Sequence, residues 1–312
     1  MKKNILFPNV GRRVELINSF REAAGRCDIE LNIIGTDITP DAPGLYFCDK
    51  TYILDKDRNH ELLLKFFDIV ESESIDAVIC TIDPDVSFFS DNIDIFKNVT
   101  GCDFLLSSPD IVKASSDKRL TEMFFINLGV NTPRLIKTPT LFPIFAKPAK
   151  GSGSFGAQVI KNKSELEYYL DEFSNHDPIF QECISGKEYT LDCFVDDKGN
   201  ISVSIRERLK VRGGEVSISI VVVDKYLEDE AKNILRYSGF YGPVTLQVIK
   251  SSQDGLGYFI EINPRFGGGS ILSIKAGLRA PEFILTGRSS KVEIQNGLKM
   301  LRYDMSVFLK ND

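Results

Sequence analysis

The 312-residue chain carries 38 Lys and Arg against 44 Asp and Glu, a formal net charge of -6, and 43% of its residues are hydrophobic. That balance suits a globular chain of two or three domains of about 100–200 residues each, and without any basic run of five or more it speaks against a nucleic-acid partner. No stretch approaches the roughly 20 apolar residues of a membrane span, and two histidines with six cysteines free of C-x-x-C spacing leave carboxylate, amide, Lys and Arg as the catalytic vocabulary.

Asn4 to Phe7 reads as a buried strand, and Pro8-Asn9-Val10-Gly11-Arg12-Arg13 as the loop after it. Val14, Leu16, Ile17 and Phe20 recur at helical spacing over residues 14–24. Leu31 to Asp37 is a second strand ending in an acid, Tyr52 to Leu54 a short third, Glu61 to Ser72 an amphipathic helix and Ala77 to Thr81 a further strand. Strands alternating with helices predict a right-handed, doubly wound parallel sheet over residues 1–110. Its first turn holds one glycine where a dinucleotide fold has G-x-G-x-x-G, which argues against NAD. Arg12 and Arg13 sit where open α/β sheets bind ligands; they read either as anion recognition or as solvated loop charges. Asp83 and Asp85 read as turn formers around Pro84. The thiols read as small buried hydrophobes in a reducing cytosol, and Met1-Lys2-Lys3 before a short apolar run does not read as a secretory leader.

Ser107-Ser108-Pro109-Asp110 marks a boundary, and Ser116-Asp117-Lys118 offers a cap for a helix over 119–128. Phe142 to Pro148 is a strand ending in Lys147. The loop Gly151-Ser152-Gly153-Ser154-Phe155-Gly156 follows, then a returning strand over 157–160 and a helix over 164–173. Such a hairpin tip can lay backbone N–H groups over phosphates with Lys147 as the charge beneath, although it departs from the P-loop pattern. Ile179 to Ile184 and Glu188 to Asp196 are strands. Residues 201–205 form another, continued by the cation-dense Arg206-Glu207-Arg208-Leu209-Lys210-Val211-Arg212. A helix over 225–237 and a strand over 242–249 lead to the stretch Tyr258-Phe259-Ile260-Glu261-Ile262-Asn263-Pro264-Arg265.

Strand alternation puts Glu261, Asn263 and Arg265 on one face of that stretch and Ile260 and Ile262 on the other, toward a core. An acid and an amide oxygen suit a hard divalent ion, and a guanidinium suits phosphoryl charge. Gln247 can face Glu261 across the hairpin.

In this order, Ser116-Asp117-Lys118, Lys147-Pro148, the Gly/Ser loop, Gln181-Glu182 with Gly186-Lys187-Glu188, the Arg/Lys-Gly-Gly segment, Gln247 and E-I-N-P-R resemble the ATP-grasp superfamily, most nearly its carbamoyl phosphate synthetase-like members, over residues 1–285. The resemblance implies a pre-ATP-grasp domain (1–110) followed by an ATP-grasp domain (111–312) of two α+β subdomains, 111–180 and 181–312. It implies that Lys118 and Lys147 contact ATP phosphates under the loop Gly151, Ser152, Gly153 and Ser154. Glu182 with the Cys183 and Ile184 backbone would read adenine, and Glu188 the ribose. Gln247, Glu261 and Asn263 would hold Mg²⁺ (or Mn²⁺), with Arg265 stabilising the transferring phosphoryl group. The implied activity is ligation of a small carboxylic acid to an amine in the cytoplasm through an acyl phosphate, with a homodimer as one allowed assembly. The alternatives are a noncatalytic ATP sensor on the same fold and, further off, a nucleotide-dependent oxidoreductase. The chain is far shorter than a carbamoyl phosphate synthetase and has no duplicated half, so the nucleotide half of the family pattern carries over and the acceptor half does not. Arg12, Arg13, Arg206, Arg208, Lys210 and Arg212 are then the candidates for the substrate carboxylate.

Overall fold

The computed structural model describes residues 1–97, 101–151, 153, 155–288 and 292–310. The first layer comprises β1 (Lys2–Phe7), α1 (Val14–Arg26), β2 (Glu30–Asp37), β3 (Lys50–Ile53), α2 (His60–Ser72), β4 (Ala77–Val78), α3 (Asp83–Asp91), α4 (Ile93–Lys97) and β5 (Asp103–Phe104). Its strands run parallel in the order β3-β2-β1-β4-β5. Ile5, Leu6 and Phe7 are all buried, because helices cover both faces of the sheet. β4 is shorter than the sequence predicts: after Val78 the chain leaves the sheet. Where a turn is expected around Pro84, α3 begins, with Pro84 in the first turn, where its missing N–H breaks no helical bond.

The connecting helices α5 (Pro109–Ser116) and α6 (Lys118–Asn127) follow. Asp117 caps α6, its carboxylate accepting from Arg119 N at 2.9 Å. A three-stranded antiparallel sheet, β7-β6-β8, is built from β6 (Ile144–Pro148), β7 (Gln158–Ile160) and β8 (Pro178–Glu182), with α7 (Lys163–Phe173) between the last two. Tyr169 of α7 anchors its small core.

The largest sheet holds β9 (Gly186–Val195), β10 (Ile201–Arg212), β11 (Glu215–Val222), β12 (Gly242–Ser251) and β13 (Gly257–Asn263), joined by β14 (Lys299–Leu301), in the order β13-β12-β9-β10-β11-β14. The cation-dense segment is one continuous strand with residues 201–205, and β11 is a strand the sequence reading did not assign. α8 (Lys225–Leu235), with Leu227, Ala231 and Ile234 fully buried, covers one face of this sheet. α9 (Ser270–Lys275) and α10 (Ala280–Thr286) return the chain to α1, so that Phe266, Leu278 and Phe283 share one core with Phe7 and Phe20.

Candidate active site

The three sheets meet around a cavity of about 240 Å³ lined by Arg13, Asp83, Gly153, Arg206, Arg208, Glu215, Gln247, Glu261, Asn263, Arg265 and Gly267 to Gly269, among others. Antiparallel register sets Gln247 directly opposite Glu261 and Thr245 opposite Asn263. One carboxylate and two amide groups therefore stand on adjoining strands. Among the described residues no group of three or more His, Cys, Asp or Glu could hold a metal ion. What the strands supply is the all-oxygen set a hard cation takes, and Gln247, Glu261 and Asn263 fit Mg²⁺ by donor chemistry.

The expected alternation on β13 holds in part. Between Gln247 and Val248 the register slips, so that Phe259 pairs with Val248 while Glu261 pairs with Gln247. Ile260 is the extra residue of a β-bulge. It is partly exposed instead of entering the core; Phe259 and Ile262 are the buried pair. The bulge thus breaks the period of two just before the carboxylate.

Arg265 is held by the first layer. Its Nε and Nη2 donate to the two oxygens of Asp83 at 2.6 and 2.7 Å, and Nη2 also reaches Asn263 Oδ1 at 3.4 Å. Asp83, read as a turn former, is a cavity residue joining two layers of the molecule. Its position after a strand at the C-terminal edge of a parallel sheet was the available signal.

Lys147, one residue before the end of β6, is 7% exposed. Burial above all, opposed by Glu261 and aided by Lys118, lowers its ammonium pKa to about 8. Lys118 opens α6 and donates from Nζ to Gly151 O at 2.8 Å, at the base of the Gly/Ser loop. Ser152 and Ser154 lie outside the described residues. Gly153 meets the β10–β11 turn: a Cβ on Gly214 would lie 2.3 Å from Gly153 O. Glu182 ends β8, where its backbone N–H donates to Arg134 O at 3.0 Å and its carboxylate accepts from Arg134 N at 3.2 Å. Cys183 and Ile184 follow, half-buried, at the joint between the small and large sheets. Glu188 on β9 pairs with Arg208, which reaches Gln247 Oε1 at 3.4 Å.

The six cations proposed for an acid divide. Arg13, Arg206 and Arg208 line the cavity. Arg12 and Lys210 are exposed and off the lining, and Arg212 points to Asp304 at 2.8 Å. On β10 the alternation of faces is interrupted by register shifts on both sides of Lys210. Burial and the neighbouring Arg265 lower the pKa of Arg13, with Glu215 acting against them. Glu215 escaped the sequence reading with its strand, although Val216-Ser217-Ile218-Ser219-Ile220 alternates.

At the usual dinucleotide turn, Asp37 at the end of β2 accepts from the N–H groups of Gly11 and Ile38, both at 2.8 Å. The acid that would take a ribose hydroxyl in a dinucleotide fold is already engaged.

A model of the PylC-like N-terminal domain matches residues 5–105, and a model of the ATP-grasp domain matches residues 115–269. The D-alanine–D-alanine ligase of Petrotoga mobilis is 30% identical over 118 residues, 35% of this chain and 39% of that one. The carbamoyl phosphate synthase large chain of Clostridium perfringens is 25% identical over 195 residues, 58% of this chain and 17% of that one. The chain thus spans well under half the length of these curated relatives. In fold, N5-carboxyaminoimidazole synthetase from Staphylococcus aureus, complexed with ADP, superposes with a TM-score of 0.74 at 16% identity, over 95% of this chain and 81% of that one. Among the described residues no helix is long and apolar enough to cross a membrane. With an ATP-grasp domain set behind a PylC-like N-terminal domain, the chain belongs to the ATP-grasp superfamily.

Proposed function

We propose that this chain is a Mg-ATP-dependent ligase that activates a small carboxylic acid as an acyl phosphate and joins it to an amine, releasing ADP and phosphate. The observation that carries the reading is the cavity face itself: Gln247, Glu261 and Asn263 on paired strands, with buried Lys147 electrostatically coupled to Glu261. In this reading residues 1–110 form the acid-facing platform, and 111–180 and 181–312 the two halves of a nucleotide clasp. The Cys183 and Ile184 backbone with Glu182 takes adenine, and Glu188 the ribose. Lys118, Lys147 and the loop from Gly151 to Ser154 take the phosphates.

Gln247, Glu261 and Asn263 would hold Mg²⁺ (or Mn²⁺), which would neutralise charge on the phosphates. The acid's carboxylate oxygen attacks the γ-phosphorus as the bond to ADP breaks, and Arg265 stabilises the charge on the moving phosphoryl group. The amine then attacks the acyl carbon, phosphate leaves and the amine gives up a proton. Positioning and charge do this work, without a protein nucleophile. We place the enzyme in the cytoplasm, acting on small molecules, with a homodimer as one allowed assembly.

The test is a screen for ADP release over carboxylic acids, each with and without amines. At least one acid–amine pair should release ADP. Glu261→Ala should abolish that turnover with the fold intact, and Asn263→Ala should reduce it less, since a neutral ligand contributes less charge. ATP binding with no ADP release from any pair would favour the sensor reading, and normal turnover by Glu261→Ala at limiting Mg²⁺ would sink the metal assignment.

A further inference from the structure

We propose that Arg13 and Arg206 form a receptor for a single carboxylate group beside Gly268 and Gly269, in the same cavity as the strand face that carries Gln247, Glu261 and Asn263. Taking that group as the carboxylate of the acid to be activated rests on the ligase reading; the receptor itself rests on geometry.

Arg206 is 3% exposed. Its Nε donates to Asp192 Oδ2 at 2.7 Å, and Ser273 Oγ donates to the same oxygen at 2.6 Å, so the guanidinium is fixed from behind. Its Nη1 is buried and has no hydrogen-bond acceptor among the described residues. A buried donor left unmade on a cavity wall calls for an acceptor from a ligand. Arg13 approaches from the first layer. Among the described residues it has no carboxylate within 4 Å, and its Nη2 donates to Thr81 O at a long 3.4 Å.

Both Nη1 atoms converge on consecutive glycines. A Cβ on Gly268 would lie 3.1 Å from Arg13 Nη1, and one on Gly269 would lie 2.8 Å from Arg206 Nη1. Neither glycine adopts a positive φ. Close approach, not backbone conformation, is what these positions require: without a Cβ at either glycine the two guanidinium groups pack against the same piece of backbone, on the cavity lining.

Charge selects the ligand. Asp192 neutralises Arg206, Glu215 pairs with Arg302 at 2.8 Å, and Asp83 engages Arg265. Arg13 is left without an ion pair of its own among the described residues, with Glu215 and Asp83 acting on it only from beyond contact. Two guanidinium groups with forked N–H donors suit a monoanionic carboxylate; a phosphate dianion would be opposed more strongly by Glu215, whose Oε1 lies 3.7 Å from the Gly268 Cβ position.

The experiment is calorimetric titration of the full chain, saturated with Mg-ADP, with acetate, glycine, succinate and inorganic phosphate at fixed ionic strength. At least one carboxylate should bind, and phosphate at least tenfold more weakly. Arg13→Ala, Arg206→Lys (which keeps a cation beside Asp192) and Gly269→Ala should each weaken the carboxylate tenfold or more while Mg-ADP affinity moves less than twofold. The exposed Arg236→Ala should change neither. No carboxylate binding by the unmodified chain, a preference for phosphate, or unchanged carboxylate affinity in Arg13→Ala and Arg206→Lys overturns the receptor. Carboxylate binding by a chain that does not bind Mg-ADP would leave the receptor standing and remove the ligase reading instead.

Discussion

Lys147 is an ammonium group held in a nearly dry position with Lys118 close enough to oppose its charge. Its pKa of about 8 in the folded chain lies below its ordinary 10.5, so between those values the folded state binds fewer protons than the unfolded one. Stability from this group therefore rises as pH climbs from about 8 to 10.5, and the burial penalty is fully present below 8. In EDTA and without nucleotide, Lys147→Met should be more stable than the parent at pH 7 by roughly 1–3 kcal/mol. The difference should shrink through that pH window. Urea unfolding of both chains at pH 7, 8, 9 and 10 checks it, and a constant difference would mean that Lys147 does not titrate there. The cost below pH 8 is what one expects of a cation kept for a polyanionic ligand.

At the scale of strands and turns, the legible features were those that local alternation controls. The pairing of Gln247 with Glu261 follows from two strands and the turn at Asp254-Gly255, and Asp117 as a cap follows from its place before an apolar helix. Two kinds of feature were not legible. The bulge at Ile260 depends on how β13 is matched to β12, and the ion pair between Asp83 and Arg265 joins residues 182 positions apart, beyond the reach of any periodicity. The β10–β11 turn is of the second kind: Gly213 and Gly214 both have positive φ, but only Gly214 touches the Gly/Ser loop. Alanine at either position should lower stability by about 1–2 kcal/mol through backbone strain. Only Gly214→Ala should also weaken Mg-ATP, several-fold, because its Cβ would push Gly153 out of place. Melting curves and calorimetry on the two variants separate the effects; equal ATP affinities would show that this contact has no part in nucleotide binding.

Across the whole molecule, the parallel sheet does not complete its own core. Phe20 of α1 packs edge-on against Phe266 with ring centroids 6.2 Å apart, and Arg26 reaches Glu282 at 2.6 Å. Lys275 reaches Glu22 at 2.6 Å from the opposite end of the sequence. Phe266→Ala should cost about 3–5 kcal/mol. It should loosen the first layer together with α9 and α10 as one unit, so amide exchange should accelerate in β1 and α1 as much as around residue 266. Acceleration confined to residues 264–286 would show that the first layer is independently stable. The same long-range closure governs how the chain is made. The apolar face of α1 is synthesised some 250 residues before the helices that cover it, and at about 5–20 residues per second that face waits roughly 13–50 s for its partner. A ribosome halted before α10 therefore carries a nascent chain with an open hydrophobic seam, and synthesis of this protein has a built-in interval in which holdase chaperones find a substrate.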